Sequence, residues 1–358
     1  MKQSVLSYYT LIISLTLGLS ICLHSCKGDG PKKATVPKVA DLKQEVELIR
    51  YDRVISAIDK DKTLAAYTNL LIQHPRMTDL YFKQLMKVYH SDRDSLDRRL
   101  KLFLGDERIM DLAKVVEKAY PDTKDIEKEL KSSLKYYKHY FPSAKLPKFY
   151  TLFTEFGYQP FIFDDLEGQD GIGIGLDMFL GKDYNYKAIN PTDPVFSSYL
   201  TRTYDKSHLV KKTMEILVED AIGAPPGKRF IDQMIHQGKK AYILKKIMPT
   251  TPDSLIYEYN SDQMAWMEKN ELQVWDFFLE LDCMYETNHL KLSKLLSPGP
   301  TTQGMPAAAP GRTTAYIGNS IVEAYMNREK DLDLAGLIQA RDSQLLLETS
   351  RYKPARRK

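Results

Sequence analysis

Residues 148–179 read KFYTLFTEFGYQPFIFDDLEGQDGIGIGLDMF. Aromatic and β-branched side chains dominate three runs, KFYTLFTE, PFIFDD and GIGIGLDMF, separated by Phe156-Gly157-Tyr158 and by the polar loop Leu166 to Gly171. Side chains of this kind suit a pleated, half-buried surface, so the spacing predicts three short strands joined by turns in one small sheet. On either side the period changes. From Val46 to about Tyr140 the pattern is helical, most clearly after Asp122, a good N-cap, where Ile126, Leu130, Leu134 and Tyr137 fall on one face. After Tyr184 a helix is predicted from a Ser207 cap to Ile222, closed by Gly223 and Pro225-Pro226. Further helices are predicted at Arg229 to Leu244, Asp262 to Tyr285, Ile317 to Asn327 and Leu334 to Thr349, while Ser297 to Thr314 is too rich in Pro, Gly and Ala to be other than a long loop. The expected fold is α+β, predominantly helical with one small β-sheet. It forms a single domain over residues 46–358, with a helical part at 46–147 and the sheet plus helices at 148–358.

The N-terminus reads as an address. Lys2 precedes a run of 13 almost wholly apolar residues, Leu11 to Leu23, too short to span a bilayer as a finished helix and suited to a signal peptide. Leu23-His24-Ser25-Cys26 resembles a bacterial lipobox, which predicts a signal over residues 1–25 and lipidation of Cys26. Residues 26–45, with KGDGPKKATVPKVA at 27–40, have the composition of a flexible tether. The expected location is therefore a membrane-anchored lipoprotein facing the periplasm. With Cys22 lost and Cys26 lipidated, Cys283 stands alone, so no intramolecular disulfide is expected and Cys283 reads as a small buried hydrophobe.

Composition excludes several classes. The 358 residues carry 51 Lys plus Arg against 47 Asp plus Glu and are 43% hydrophobic, which excludes disorder and gives no global pull toward nucleic acid. The terminal cluster Lys353, Arg356, Arg357 and Lys358 reads as a solvated tail. Gly171, Gly173 and Gly175 do not form a dinucleotide loop, because no helix N-terminus follows them; glycine in a strand permits close approach of another backbone. The seven histidines show no metal-ligand spacing, and Asp164, Asp165 and Glu167 read as a solvated loop rather than a cation site. No cofactor or metal is expected.

One constellation is informative through what it lacks. A gluzincin-type zinc peptidase would place His-Glu-x-x-His on one helix and a third ligand, Glu, on the next. Here Glu215 occupies the general-base position, while Met214, Val218 and Gln237 occupy the three ligand positions. Without a metal to lower the pKa of bound water, such a site is dead. Equally, Val210, Met214, Leu217, Val218 and Ala221 form the buried face of an amphipathic helix.

Ile174-Gly175-Leu176-Asp177-Met178-Phe179-Leu180-Gly181-Lys182-Asp183-Tyr184, then Met234 to Tyr242 and Met248-Pro249, resemble the gliding-motility lipoprotein GldB family of Bacteroidota. The resemblance continues through Trp266, Asn270, Glu271 and Trp275, then Gly311-Arg312, Tyr316-Ile317-Gly318, Ile321-Val322 and Tyr325-Met326, and ends at Ser350 to Pro354. It implies a membrane-anchored envelope protein needed for gliding and connected with its secretion machinery, with no catalytic residues. It also implies a zincin-like core that lost its metal ligands. The Ala- and Pro-rich loop Ser297 to Pro310 and the basic tail depart from the family pattern.

The expected function is a non-enzymatic one, carried by contacts with other envelope or secretion-system proteins. The 23 tyrosines favour an interface reading, with Lys182, Asp183, Tyr184 and Tyr186 as contact candidates. The competing expectations are a metal-dependent envelope hydrolase using Glu215 and a carbohydrate- or peptide-binding module.

Overall fold

A computed structural model describes residues 36–42 and 45–354. The expected signal segment, Cys26 and most of the tether, residues 355–358 and the side chain of Glu167 lie outside the described residues. From Lys38 onward the chain belongs to one compact unit. Val39 is buried, and the Lys135 ammonium donates to the Ala40 carbonyl at 3.2 Å.

Four strands form one sheet in the order β1-β2-β4-β3: β1 (Leu48–Ile49), β2 (Lys148–Leu152), β3 (Phe161–Asp164) and β4 (Asp170–Gly175). β1 and β4 run parallel to β2, and β3 is antiparallel to β4. The helical reading from Val46 therefore needs correction. β1 is only two residues long, too short for any period to show, yet its pairing of Leu48 with Phe149 ties the N-terminal part into the sheet.

Phe161 lies opposite Gly173 and Phe163 opposite Gly171, and each ring occupies the space that a Cβ on the facing glycine would need. Close approach of a backbone, the expectation for these glycines, holds only at Gly175 against the Tyr158 carbonyl. At the other two positions an aromatic side chain covers the gap that glycine leaves in a strand. The strand also ends sooner than GIGIGLDMF suggests, because Leu176–Phe179 turns as a 3-10 helix. Asp177 is drawn inward there, accepting from the backbone N–H groups of Thr154 at 2.9 Å and Phe156 at 2.6 Å.

Before β2 stand α1 (Tyr51–Ser56), α2 (Thr63–Gln73), α3 (Pro75–Asp79) continued by a π-helical stretch, α4 (Arg93–Gly105), α5 (Glu107–Ala119) and α6 (Lys124–Tyr140). After β4 come α7 (Ser198–Thr201), α8 (Lys206–Ile222), α9 (Phe230–Ile247), α10 (Asp253–Tyr257), α11 (Ser261–Glu280), α12 (His289–Leu296), α13 (Thr313–Arg328), α14 (Leu334–Gln339) and α15 (Ser343–Ser350). The fold is α+β and mostly helical. α6 buries Ile126, Leu130, Leu134 and Tyr137 as its spacing requires, though Thr123 rather than Asp122 is its cap residue.

Asp205, not Ser207, caps α8: its carboxylate accepts from the His208 N–H at 3.1 Å and from the Ser207 hydroxyl at 2.6 Å, and a carboxylate at a helix N-terminus also complements the dipole. Gly223 closes α8 at φ +64, its N–H reaching the Glu219 carbonyl at 3.0 Å. The helix expected at 334–349 is two, because Asp342 caps a new start through the N–H groups of Gln344 and Leu345. Residues 297–312 are a loop tied across by a bridge between Thr301 and Pro310 and by the Thr302 hydroxyl donating to the Pro310 carbonyl at 2.7 Å.

α9 and α13 form the most extensive helix pair. Gly238 and Gly318 face each other at the crossing, and a Cβ on either would overlap the other helix's backbone. This contact sets how closely the two helices bring Gln237, Lys240 and the start of α13 together.

Candidate functional site: a cavity walled by ion pairs

α8 presents two faces. Leu209, Val210, Met214, Leu217 and Val218 are buried in the core, while Lys211, Lys212, Glu215 and Glu219 turn toward α9, α10 and the start of α13. Lys211 and Glu215 stand four residues apart, one helical turn, and are 2.6 Å apart at Nζ and Oε2. From α9, Lys240 bridges Glu215 at 2.9 Å and Glu219 at 2.6 Å. Glu258, just after α10, takes Lys211 at 3.1 Å, Lys212 at 3.2 Å and Arg312 at 2.8 Å.

Most of this charge is buried. The Lys211 side chain is fully enclosed and the Glu258 side chain is 2% exposed. Removing ions from water costs several kcal/mol each, so pairing must hold them charged. Burial pushes the Glu215 carboxyl upward, but the Lys211 and Lys240 ammonium groups outweigh it and hold it well below the usual carboxylate range. Glu258 is held down in the same way by Lys211, Arg312 and Lys212, against its own burial. Burial lowers the pKa of Lys212, while Lys240 is raised because its two carboxylate partners overcome burial.

Beside these pairs lies a cavity of about 300 Å³. Glu215, Glu219, Gln237, Lys240 and Arg312 give it polar walls, and Leu244, Ile256, Tyr257 and Leu296 give it apolar ones. Of the four positions read as remnants of a metal site, Glu215 and Gln237 share this cavity. Met214 and Val218 are fully buried in the core and do not line it, as the amphipathic reading of α8 requires. The Gln237 side-chain carbonyl accepts from the Thr314 hydroxyl at 3.2 Å. No group of three or more His, Cys, Asp or Glu placed to hold a metal ion occurs among the described residues.

The sequence reading missed Lys211, Lys212, Lys240, Glu258 and Arg312 as members of this site. Lys211 and Glu215 at one-turn spacing were a visible signal. Glu258 and Arg312 were not, because they come from the end of a five-residue helix and from a loop.

The interface candidates divide. Lys182 and Asp183 are exposed, and Tyr184 is half-buried with its ring stacked on Phe156 at 5.5 Å. An open groove of about 510 Å³ adjoins this pair, walled also by Arg108, Leu112, Val115, Glu155 and Ile189. Tyr186 is corrected to a core residue. It is 2% exposed, and its hydroxyl donates to the Asp177 carbonyl at 3.1 Å and accepts from the Leu180 N–H at 2.7 Å. Asp165 is buried and accepts from the Tyr150 hydroxyl at 2.9 Å, so it is structural rather than solvated. Cys283 is buried, and burial pushes its thiol up to about 11.

Fold and site together define a mainly helical α+β protein whose polar cavity is walled by its own ion pairs. The family model described as gliding motility protein GldB matches residues 32–354, and the chain belongs to that family. Membership implies a role in gliding motility. No curated protein and no solved structure matches the chain. No helix among the described residues is long and apolar enough to cross a membrane.

Proposed function

We propose that this protein is a lipid-anchored, periplasm-facing component of the cell envelope that supports gliding motility and its secretion machinery through protein–protein contacts, without enzymatic activity. The observation that carries the reading is the state of Glu215. A general base needs a pKa near the working pH and a proton to take. Glu215 instead lies between the ammonium groups of Lys211 and Lys240, which neutralise it and keep it ionised. Positive side chains thus stand against the carboxylate that a peptidase would use on water. The helix–break–helix order of α8 and α9, with Glu215 and Gln237 on one cavity, supports descent from a gluzincin-type peptidase. The anchor in this reading is lipid on Cys26, and the contact surface includes Lys182, Asp183 and Tyr184 beside the groove.

Conditional depletion in the native bacterium tests the reading, scoring colony spreading and the secreted proteome against rescue by Cys26→Ala. Loss of spreading or secretion without rescue supports an anchored component. Full rescue by Cys26→Ala removes the anchor from the proposal. Stoichiometric zinc in the purified protein, lost together with a hydrolytic activity in Glu215→Gln, replaces it with an enzyme.

A further inference from the structure

Buried polar atoms in folded proteins are paired in roughly 90% of cases or more, so a cluster of exceptions needs a cause. Among the described residues, six buried side-chain nitrogen or oxygen atoms have no hydrogen-bond partner. Four of them, the Tyr199 hydroxyl, Arg202 Nε, the Tyr259 hydroxyl and Arg312 Nε, belong to residues that interact with one another beside Glu258. The Arg202 guanidinium lies over the Tyr199 ring, 4.4 Å from its centroid, and its Nη2 donates to the Glu258 carbonyl at 2.6 Å. Arg312 Nη2 holds the Glu258 carboxylate at 2.8 Å, and Tyr259 is the next residue.

All four atoms carry a proton to donate, and the two guanidinium nitrogens cannot accept. What would complete the cluster is therefore an acceptor. Charge narrows the choice. Lys211, Lys212, Lys240, Arg202 and Arg312 are five cations in one connected network, against three carboxylates, Glu215, Glu219 and Glu258. Water could satisfy the donors but would leave two positive charges uncompensated in a poorly solvated place. The N-terminus of α13, which follows Arg312, adds to the positive potential. Of the four residues, Arg312 also lines the 300 Å³ cavity.

We infer that the cluster of Tyr199, Arg202, Tyr259 and Arg312 is a binding site for a small oxyanion, a carboxylate or a phosphate. The two guanidinium Nε–H groups supply charge-assisted bonds and the two phenols neutral ones. The inference does not depend on whether the protein is an enzyme.

The test is thermal unfolding of the full-length protein in sodium phosphate, acetate and chloride at matched ionic strength, for the wild type and for a Tyr199→Phe, Tyr259→Phe double variant. Phenylalanine keeps both rings and removes only hydroxyls that have no partner, so the variant folds. The expected result is a Tm several degrees higher in phosphate or acetate than in chloride, with binding weakened about tenfold for each hydroxyl removed. Whichever oxyanion gives the shift assigns the class. Equal Tm in all three salts overturns the inference, as does a shift that the double variant retains in full.

Discussion

Arg312 and Glu258 both hold backbone conformations in the left-handed region, at φ +60 and φ +56, and are joined to each other by a 2.8 Å ion pair. Each conformation costs on the order of 1–3 kcal/mol for a residue other than glycine. The two strained turns are the means by which a loop and the end of a short helix deliver opposite charges to the same buried point.

Replacing Glu258 with Gln should destabilise the fold by about 3–5 kcal/mol, because Lys211, Lys212 and Arg312 then remain buried without their shared counter-ion. The same change at Glu219, whose side chain is 44% exposed, should cost less than about 1 kcal/mol. Urea denaturation of both variants checks the contrast. Equal effects would show that the network is solvated throughout.

Acid should act on two groups with opposite signs. Burial raises Asp177 to about 6, even against hydrogen bonds from Phe156 and Thr154, so the folded state takes up a proton before the unfolded chain does. Its contribution to stability therefore grows as pH falls from about 6 toward 3.8, by about 2–3 kcal/mol. His236 is lowered to about 4 by burial and by Lys240, Lys239 and Arg341, so the unfolded chain protonates first. Stability is lost through this group between pH 6.5 and about 4, by about 1–2 kcal/mol after screening. Asp177→Asn should make the protein more acid-sensitive in this window and His236→Gln less so. Stability curves from pH 7 to pH 4 decide the matter, and identical slopes in the two variants would refute it.

Gly238→Ala and Gly318→Ala should each cost about 3 kcal/mol or more, since the added Cβ meets backbone atoms that cannot turn aside. Gly105→Ala, where a Cβ meets nothing within 4 Å, is the control and should leave stability unchanged or slightly raised. Soluble yield and Tm of the three variants measure this directly.

Tyr184→Ala combined with Lys182→Glu should reduce colony spreading while lowering stability by only about 1 kcal/mol, because Lys182 is exposed and Tyr184 is half-buried. Normal spreading with wild-type abundance would remove this surface from the proposed interface. Tyr186→Phe is a different case. It removes the hydroxyl that pairs with the Leu180 N–H and the Asp177 carbonyl, leaves those buried backbone groups without it, and should act through folding.

The sequence by itself determined the fold class, most helix positions and the family. Those follow from local period, from breakers such as Gly223 and from ordered short motifs, all of which lie along the chain. It also marked Glu215 and Gln237 as a pair worth examining, and the cavity holds both. Only the tertiary structure decided what surrounds Glu215, because its neighbours come from α8, α9, the residue after α10 and the loop before α13. It decided between the two readings of Met214 and Val218 in favour of the buried helix face, moved Tyr186 inward and brought β1 to the sheet. It also accounts for distant motif residues that no spacing connects. The Tyr352 hydroxyl reaches the buried Glu271 carboxylate at 2.8 Å, and its ring packs against Trp275. Periodicity records which side of an element is buried, whereas the identity of the partner depends on how separate elements cross, and Gly238 against Gly318 fixes that crossing.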